Sequence, residues 1–123
     1  MNILVADDDA LIRRLLLALL TKLGHTVQVA EDGHAAWKAL DVDNPPSLAI
    51  LDWVMPGMDG VDTCRAVRAN CSARIPIVVV TGVADPSWRA AAYEAGADKI
   101  LDKDVSIEML RSNLISAIDS LGT

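Results

Sequence analysis

Five side chains in this sequence have the types and spacing to do chemistry together: Asp7, Asp8, Asp52, Thr81 and Lys103. Each follows an apolar run at the point where that run gives way to turn residues. Asn2-Ile3-Leu4-Val5-Ala6 ends in Asp7-Asp8-Asp9, and Leu48-Ala49-Ile50-Leu51 ends at Asp52, ahead of Pro56, Gly57 and Gly60. The run from Ile75 ends in Thr81-Gly82, and a last one, within Ala97 to Asp104, delivers Lys103. Short apolar runs bounded by turn residues read as strands buried on both faces, the pattern of a parallel sheet. Parallel strands place their carboxyl ends on one edge, facing the crevice where open α/β sheets bind ligands. The five residues therefore converge there. Carboxylates brought together repel one another unless a cation sits between them. Hard oxygen donors that leave room for water and a phosphate suit Mg²⁺, or Mn²⁺. The expectation is one divalent metal site at Asp7, Asp8 and Asp52.

Helices must separate these strands. Asp9 is placed to cap the first, from about Ala10 to Leu23, which Gly24 ends in a left-handed turn. Its polar face holds Arg13, Arg14 and Thr21, with Leu17 among them. A short strand, Thr26 to Ala30, and a Glu31-Asp32-Gly33 turn lead to a second helix, His34 to about Leu40, carrying Trp37; Pro45-Pro46 closes the linker after it. In a third helix, Val61 to Asn70, helical spacing of Val61, Cys64, Val67 and Cys71 makes both thiols small core residues. Asp85-Pro86-Ser87 starts a fourth helix, which bears Trp88, Arg89 and Tyr93 and stops at Gly96. Its aromatics pack either against the sheet or outward as an output surface. The fifth helix, about Ser106 to Leu121, has Ile107, Leu110, Leu114, Ile118 and Leu121 on its buried stripe.

Composition narrows the function classes. A chain of 123 residues that is 52% hydrophobic forms one domain, 1–123, with a real core and is not disordered. Its net charge of −6 argues against nucleic acid and gives no reason to expect an anionic membrane surface as partner. No apolar run reaches membrane-span length, and the N-terminus shows no leader pattern. Cys64 and Cys71 are too few and too badly spaced for a disulfide framework or a zinc site, and His25 and His34 lack ligand partners at metal spacing. Together these features place the domain in a reducing cytoplasm, with no appended output domain.

Taken in order, Asp7-Asp8, Asp52 with its Trp53-Val54-Met55-Pro56-Gly57-Met58-Asp59-Gly60 loop, Thr81-Gly82 and Lys103 resemble the receiver domain of two-component response regulators over nearly the whole chain. The resemblance implies a flavodoxin-like (βα)5 fold, a doubly wound five-stranded parallel sheet of strand order 2-1-3-4-5. It implies that Asp52 accepts a phosphoryl group from a phosphohistidine on a sensor kinase or phosphotransfer protein. Asp8 and Asp52 would hold Mg²⁺ directly and Asp7 partly through water, while Lys103 and the Thr81 hydroxyl meet phosphoryl oxygens. A main-chain carbonyl from Trp53 or Val54 would complete the metal shell. The first helix would meet the donor's helical bundle beside Leu17. The face made by the fourth helix, fifth strand and fifth helix would meet a downstream protein. The protein is then a switch that catalyses its own phosphorylation and slow dephosphorylation, not an enzyme that turns over an external substrate.

Two positions depart from the family's pattern. Lys103 is followed by Asp104 where the family usually has Pro after a cis bond; cis costs about 2.5–4 kcal/mol before a non-proline residue, so a trans bond is expected. Ile100 replaces the usual Phe or Tyr that swings inward with the Thr, so the output switch must be read elsewhere, with Tyr93 a candidate. These changes favour a competing reading, a degenerate receiver that binds without phosphate; the intact Asp7, Asp8, Asp52 and Lys103 oppose it. A third reading, an aspartyl-phosphate hydrolase, calls for a second acid two residues after the nucleophile, where this chain has Val54. Val54 and Val83, the second residues after Asp52 and Thr81, cannot orient an attacking water, which predicts a long-lived phosphoryl group.

Overall fold

The computed structural model describes residues 1–71, 74–82 and 85–121. Strands β1 (Asn2–Ala6), β2 (Thr26–Ala30), β3 (Leu48–Asp52), β4 (Ile77–Thr81) and β5 (Lys99–Asp102) alternate with helices α1 (Ala10–Lys22), α2 (Gly33–Leu40), α3 (Gly60–Asn70), α4 (Pro86–Glu94) and α5 (Ile107–Leu121). All strand pairs are parallel, and the sheet order is β2-β1-β3-β4-β5, as the resemblance implies. Register decides where the strands stop. Ala6 lies opposite Leu51, Asp52 opposite Val80, and Thr81 opposite Asp102, so the chemistry-bearing ends line one edge.

Alternation along each strand feeds two cores. Leu4, Ala6, Ala49, Leu51, Ile77 and Val79 face α2, α3 and α4. Ile3, Val5, Leu48, Ile50, Val78 and Val80 face α1 and α5. Both faces of β3 and β4 are buried throughout, which is why these strands read as continuous apolar runs. Caps fall where expected: the Asp9 side chain accepts from Leu11 N–H at 2.9 Å, and Gly24 takes a positive φ of 94°. At α3, Asp59 and Asp62 form a reciprocal capping box. A Cβ at Gly60 would overlap the Asp52 carbonyl oxygen, so only glycine lets α3 start this close to the end of β3.

Arg68 fastens the opposite end of the sheet. Its guanidinium donates to the carbonyls of Gly96 and Ile75 and to Asp98, whose carboxylate also takes Arg74 and the Ile77 N–H. Burial works to raise the Asp98 carboxyl, but the Arg74 and Ile77 hydrogen bonds and the two guanidinium charges outweigh it and hold it below the usual carboxylate range.

The structure corrects one expectation from helical spacing and decides between the two readings left open for the aromatics of α4. Ile107 does not belong to the buried stripe of α5; it is 65% exposed, while Leu110, Leu114 and Ile118 are buried and Leu121 is half-buried. The first turn of α5 overhangs the groove it forms with α1 instead of the sheet, so its apolar side chain meets Ile12, Leu15 and Leu19 across an open cleft. Nor do the aromatics of α4 pack on the sheet: Ala92 is that helix's one buried residue, and Trp88 and Tyr93 are both exposed. Cys64 is fully buried as expected, whereas Cys71, just past α3, is half-buried. Chemical denaturation distinguishes the two faces of α5. Leu114→Ala should cost about 2–5 kcal/mol, and Ile107→Ala should stay within about 0.5 kcal/mol of wild type.

Candidate functional site

The turn after β1 is anchored at several points. Asp7 N–H donates to Ala30 O at 3.1 Å, the Asp7 carbonyl accepts from Arg13 Nη1 at 2.7 Å, and Asp7 Oδ1 accepts from Asp9 N–H at 2.9 Å. Asp7 is buried and Asp8 exposed at the rim. Asp52 is buried at the end of β3, and the next peptide is fixed on both sides: Trp53 N–H donates to Val80 O at 3.0 Å and Trp53 O accepts from Gly60 N–H at 2.8 Å. Lys103 follows β5, its N–H bonded to Thr81 O at 2.8 Å. From there its Nζ reaches back across the sheet, 2.9 Å from Asp7 Oδ2 and 3.2 Å from Asp52 Oδ2. Thr81 is buried at the end of β4.

Each sequence-identified site residue thus lies at the same sheet edge, and a carboxylate oxygen from each of Asp7, Asp8 and Asp52 lies within 4.8 Å of the others. This donor set fits a hard divalent cation. Burial, then the Asp7 charge, pushes the Asp52 carboxyl up to about 6, against the lowering effect of Lys103. Burial works to lower the Lys103 ammonium, but its hydrogen bond to Asp7 and the Asp52 and Asp7 charges outweigh it and hold it above the ordinary lysine value. Lys103 alone does not neutralise the pocket.

The bond between Lys103 and Asp104 is trans, as expected without proline, and Asp104 N–H is taken by Asp102 Oδ1 at 2.9 Å. The side chain of Lys103 nonetheless reaches the pocket. Leu17 is exposed on α1 beside Arg14 and Thr21. Ile100 is buried in the core beneath β5, and Tyr93 is exposed. Val54 is exposed on the loop after Asp52; Val83 lies outside the described residues. Two contacts were not foreseen: the Arg13 bond to the acidic turn, and the packing of Trp88 on Trp53 with ring centroids 5.1 Å apart. Helical spacing did place Arg13 on the polar side of α1; only the fold shows that this side overlooks Asp7.

The sequence model of the response regulator receiver domain matches residues 3–115. The chain is 38% identical over 113 residues to Response regulator MprA of Mycobacterium ulcerans, covering 92% of this chain and 48% of that protein. It is 37% identical over 114 residues to Response regulator MprA of Mycobacterium leprae, covering 93% and 49%. It therefore spans about half the length of the curated relatives it matches. Among solved structures, the signal receiver domain of a signal transduction histidine kinase from Syntrophus aciditrophicus superposes with a TM-score of 0.81 at 27% identity, covering 98% of this chain and 91% of that one. A Francisella response regulator receiver domain shares the fold with a TM-score of 0.83 at 24% identity, covering 97% of each chain. The chain belongs to the response regulator receiver domain family. No helix among the described residues is long and apolar enough to cross a membrane.

The Asp52 carboxyl binds its proton more tightly in the folded chain than in the unfolded one, whose value is 3.8. Without divalent metal, stability should therefore fall as pH rises from about 4 to about 6. Thermal melts in chelator across that range should show the decline in wild type and a flatter profile in Asp52→Asn, with the variant the more stable at pH 7. Parallel profiles would show that Asp52 is not the group strained at neutral pH.

Proposed function

We propose that Asp52 is the phosphoryl acceptor of a signalling switch, with Thr81 and Lys103 as its catalytic partners and Asp7, Asp8 and Asp52 as the metal-binding set. The observation that supports this most is the shared Lys103 ammonium on Asp7 and Asp52, a cation already placed against the acceptor carboxylate. A carboxylate is a poor nucleophile and the incoming group is itself anionic, so the demand on the site is positioning and charge neutralisation. A carboxylate oxygen of Asp52 attacks phosphorus, the phosphorus–nitrogen bond of the donor phosphohistidine breaks, and its electron pair stays with the imidazole. Lys103 transfers its hydrogen bonds from the carboxylates to a phosphoryl oxygen, and the Thr81 hydroxyl takes another. Asp7, Asp8 and Asp52 would hold Mg²⁺, which would supply neutralisation of the carboxylate and phosphoryl charge. Trp53 O is already engaged by Gly60 N–H, which leaves Val54 O the better main-chain donor for that ion.

The donor is a sensor histidine kinase or a phosphotransfer protein that docks at α1, and the output partner meets the α4-β5-α5 face, where Tyr93 and Lys99 are exposed. The domain promotes its own phosphorylation and slow dephosphorylation in the cytoplasm. Val54, exposed and with no polar atom in its side chain, gives an attacking water no side-chain hydrogen bond, which supports a long-lived acyl phosphate.

Incubation with acetyl phosphate and Mg²⁺ should label the wild type with one base-labile phosphoryl group and leave Asp52→Asn unlabelled; full labelling of the variant would move the acceptor elsewhere. In the same assay Mg²⁺ should quench Trp53 fluorescence saturably, and Asp8→Ala should weaken that titration. The acyl phosphate of Val54→Asn should decay about tenfold faster than that of wild type, the contribution of orienting one water. Equal half-lives would mean that Val54 does not limit the attack.

A further inference from the structure

Helix α4 is attached to the rest of the domain very unevenly. Its carboxyl end is clasped: Gly96, with a positive φ of 111°, has its carbonyl held by Arg68 Nε at 3.1 Å and Nη2 at 2.9 Å. A Cβ at Gly96 would press into the Arg68 side chain, so the clasp is close as well as hydrogen-bonded. Ala92 is buried within the helix and Ala95 just after it. The amino-terminal half has no buried residue. Its large attachment is Trp88, which is 41% exposed yet lies tilted at 44° on Trp53, with ring centroids 5.1 Å apart. Such a tilted, offset pair is a favourable aromatic geometry.

Trp53 is no ordinary surface for that contact. It follows Asp52 directly, its ring is buried in the core shared with Val61, Ala92 and Ile100, and its peptide is pinned to Val80 and Gly60. Trp88 instead belongs to a helix whose cap, Asp85, follows the end of β4 at Thr81. The two rings therefore report on two different strand ends, those of β3 and β4.

We propose that Trp88 restrains the Asp52 site through Trp53, so that loading Asp52 with a phosphoryl group and lifting the amino-terminal half of α4 off Trp53 are one event, with the Gly96 clasp as the pivot. This rests on the reading of Asp52 as phosphoryl acceptor. A group on Asp52 draws Thr81 toward β3, and the start of α4 moves with the end of β4. Trp53 cannot follow, because its backbone is held on both sides. The rings separate at the weakly attached end of the helix and leave the clasped end in place. Trp88 is thus a positioning residue for the acceptor, and the pair couples the site to α4 at a position where Ile100 supplies no aromatic ring. Coupling of this kind is reciprocal: what loading does to the rings, removing a ring does to loading.

The test uses Trp37→Phe as background, leaving Trp53 and Trp88 as the two indoles. Stacked indoles give an exciton couplet in circular dichroism. The couplet should be present in the free domain, vanish with beryllofluoride and Mg²⁺ (a mimic of the acyl phosphate) and be absent throughout in Trp88→Ala. Trp88→Ala should also bind beryllofluoride about two- to tenfold more tightly, the worth of one aromatic pair. Trp88→Phe, which keeps a ring, should fall between it and wild type, and Glu94→Gln, at an exposed position on the same helix, should match wild type. A couplet that survives loading, or an unchanged affinity in Trp88→Ala, would overturn the proposal while leaving Asp52 as acceptor. Failure of the background protein to bind beryllofluoride at all would remove both the acceptor assignment and the coupling.

Discussion

One ammonium group shared by two buried carboxylates sets the terms for the rest of this domain. Lys103 starts beyond β5 and must pass the end of β4 to reach Asp52 at the end of β3 and Asp7 just after β1. That reach works only if the strands are parallel, in this order, and in a register that stops them together. The hydrogen bond from Lys103 N–H to Thr81 O fixes where the reach begins, even though the next residue is not proline. A long, flexible side chain with a compact charge suits the task, because it can bridge two carboxylates in the free domain and still turn toward a third anion. The pairing does not make the pocket comfortable. Burial in the crevice, and then the charge of Asp7, raises the affinity of Asp52 for a proton against the opposing pull of Lys103.

That edge was legible in the sequence because its signals are local and repeated. An apolar run that ends in a carboxylate, a threonine or a lysine says both that a strand stops and what it delivers. Parallel pairing then needs no further information to bring the ends together, and Asp7, Asp8, Asp52, Thr81 and Lys103 all lie where such reasoning puts them. Caps were equally readable at Asp9 and Gly24, where a single residue satisfies or releases the backbone.

Properties that depend on what lies beneath an element were not readable in the same way. Helical spacing gives the phase of α5 correctly for Leu110, Leu114 and Ile118, but phase does not say how far along the helix the sheet extends. Ile107 has the right angle and no sheet under it. For α4 the spacing of Trp88 and Tyr93 could not tell a ring packed on the sheet from one resting on a neighbouring loop. The clasp of Arg68 on Gly96 and Asp98 joins residues about thirty apart in the chain, and no single-residue preference announces such a pairing.

These unforeseen contacts have a shared logic. A receiver must be rigid enough to hold carboxylates against their repulsion, yet one part of it has to answer when the charge at Asp52 changes. The domain separates the demands in space. Strands β1, β3 and β4 are buried on both faces over almost all their residues, and Gly60 lets α3 lock the peptide after Asp52 in place. Compliance is left to α4, which buries little, is fixed at one end by a charged clasp, and touches Trp53, the neighbour of Asp52, at the other through a half-exposed ring. A helix held equally at both ends would resist displacement, and one held at neither would not transmit it. Under the coupling proposed for Trp88, unequal attachment would turn a change at the sheet edge into a rotation of α4, with Ile100 rather than an aromatic ring on β5.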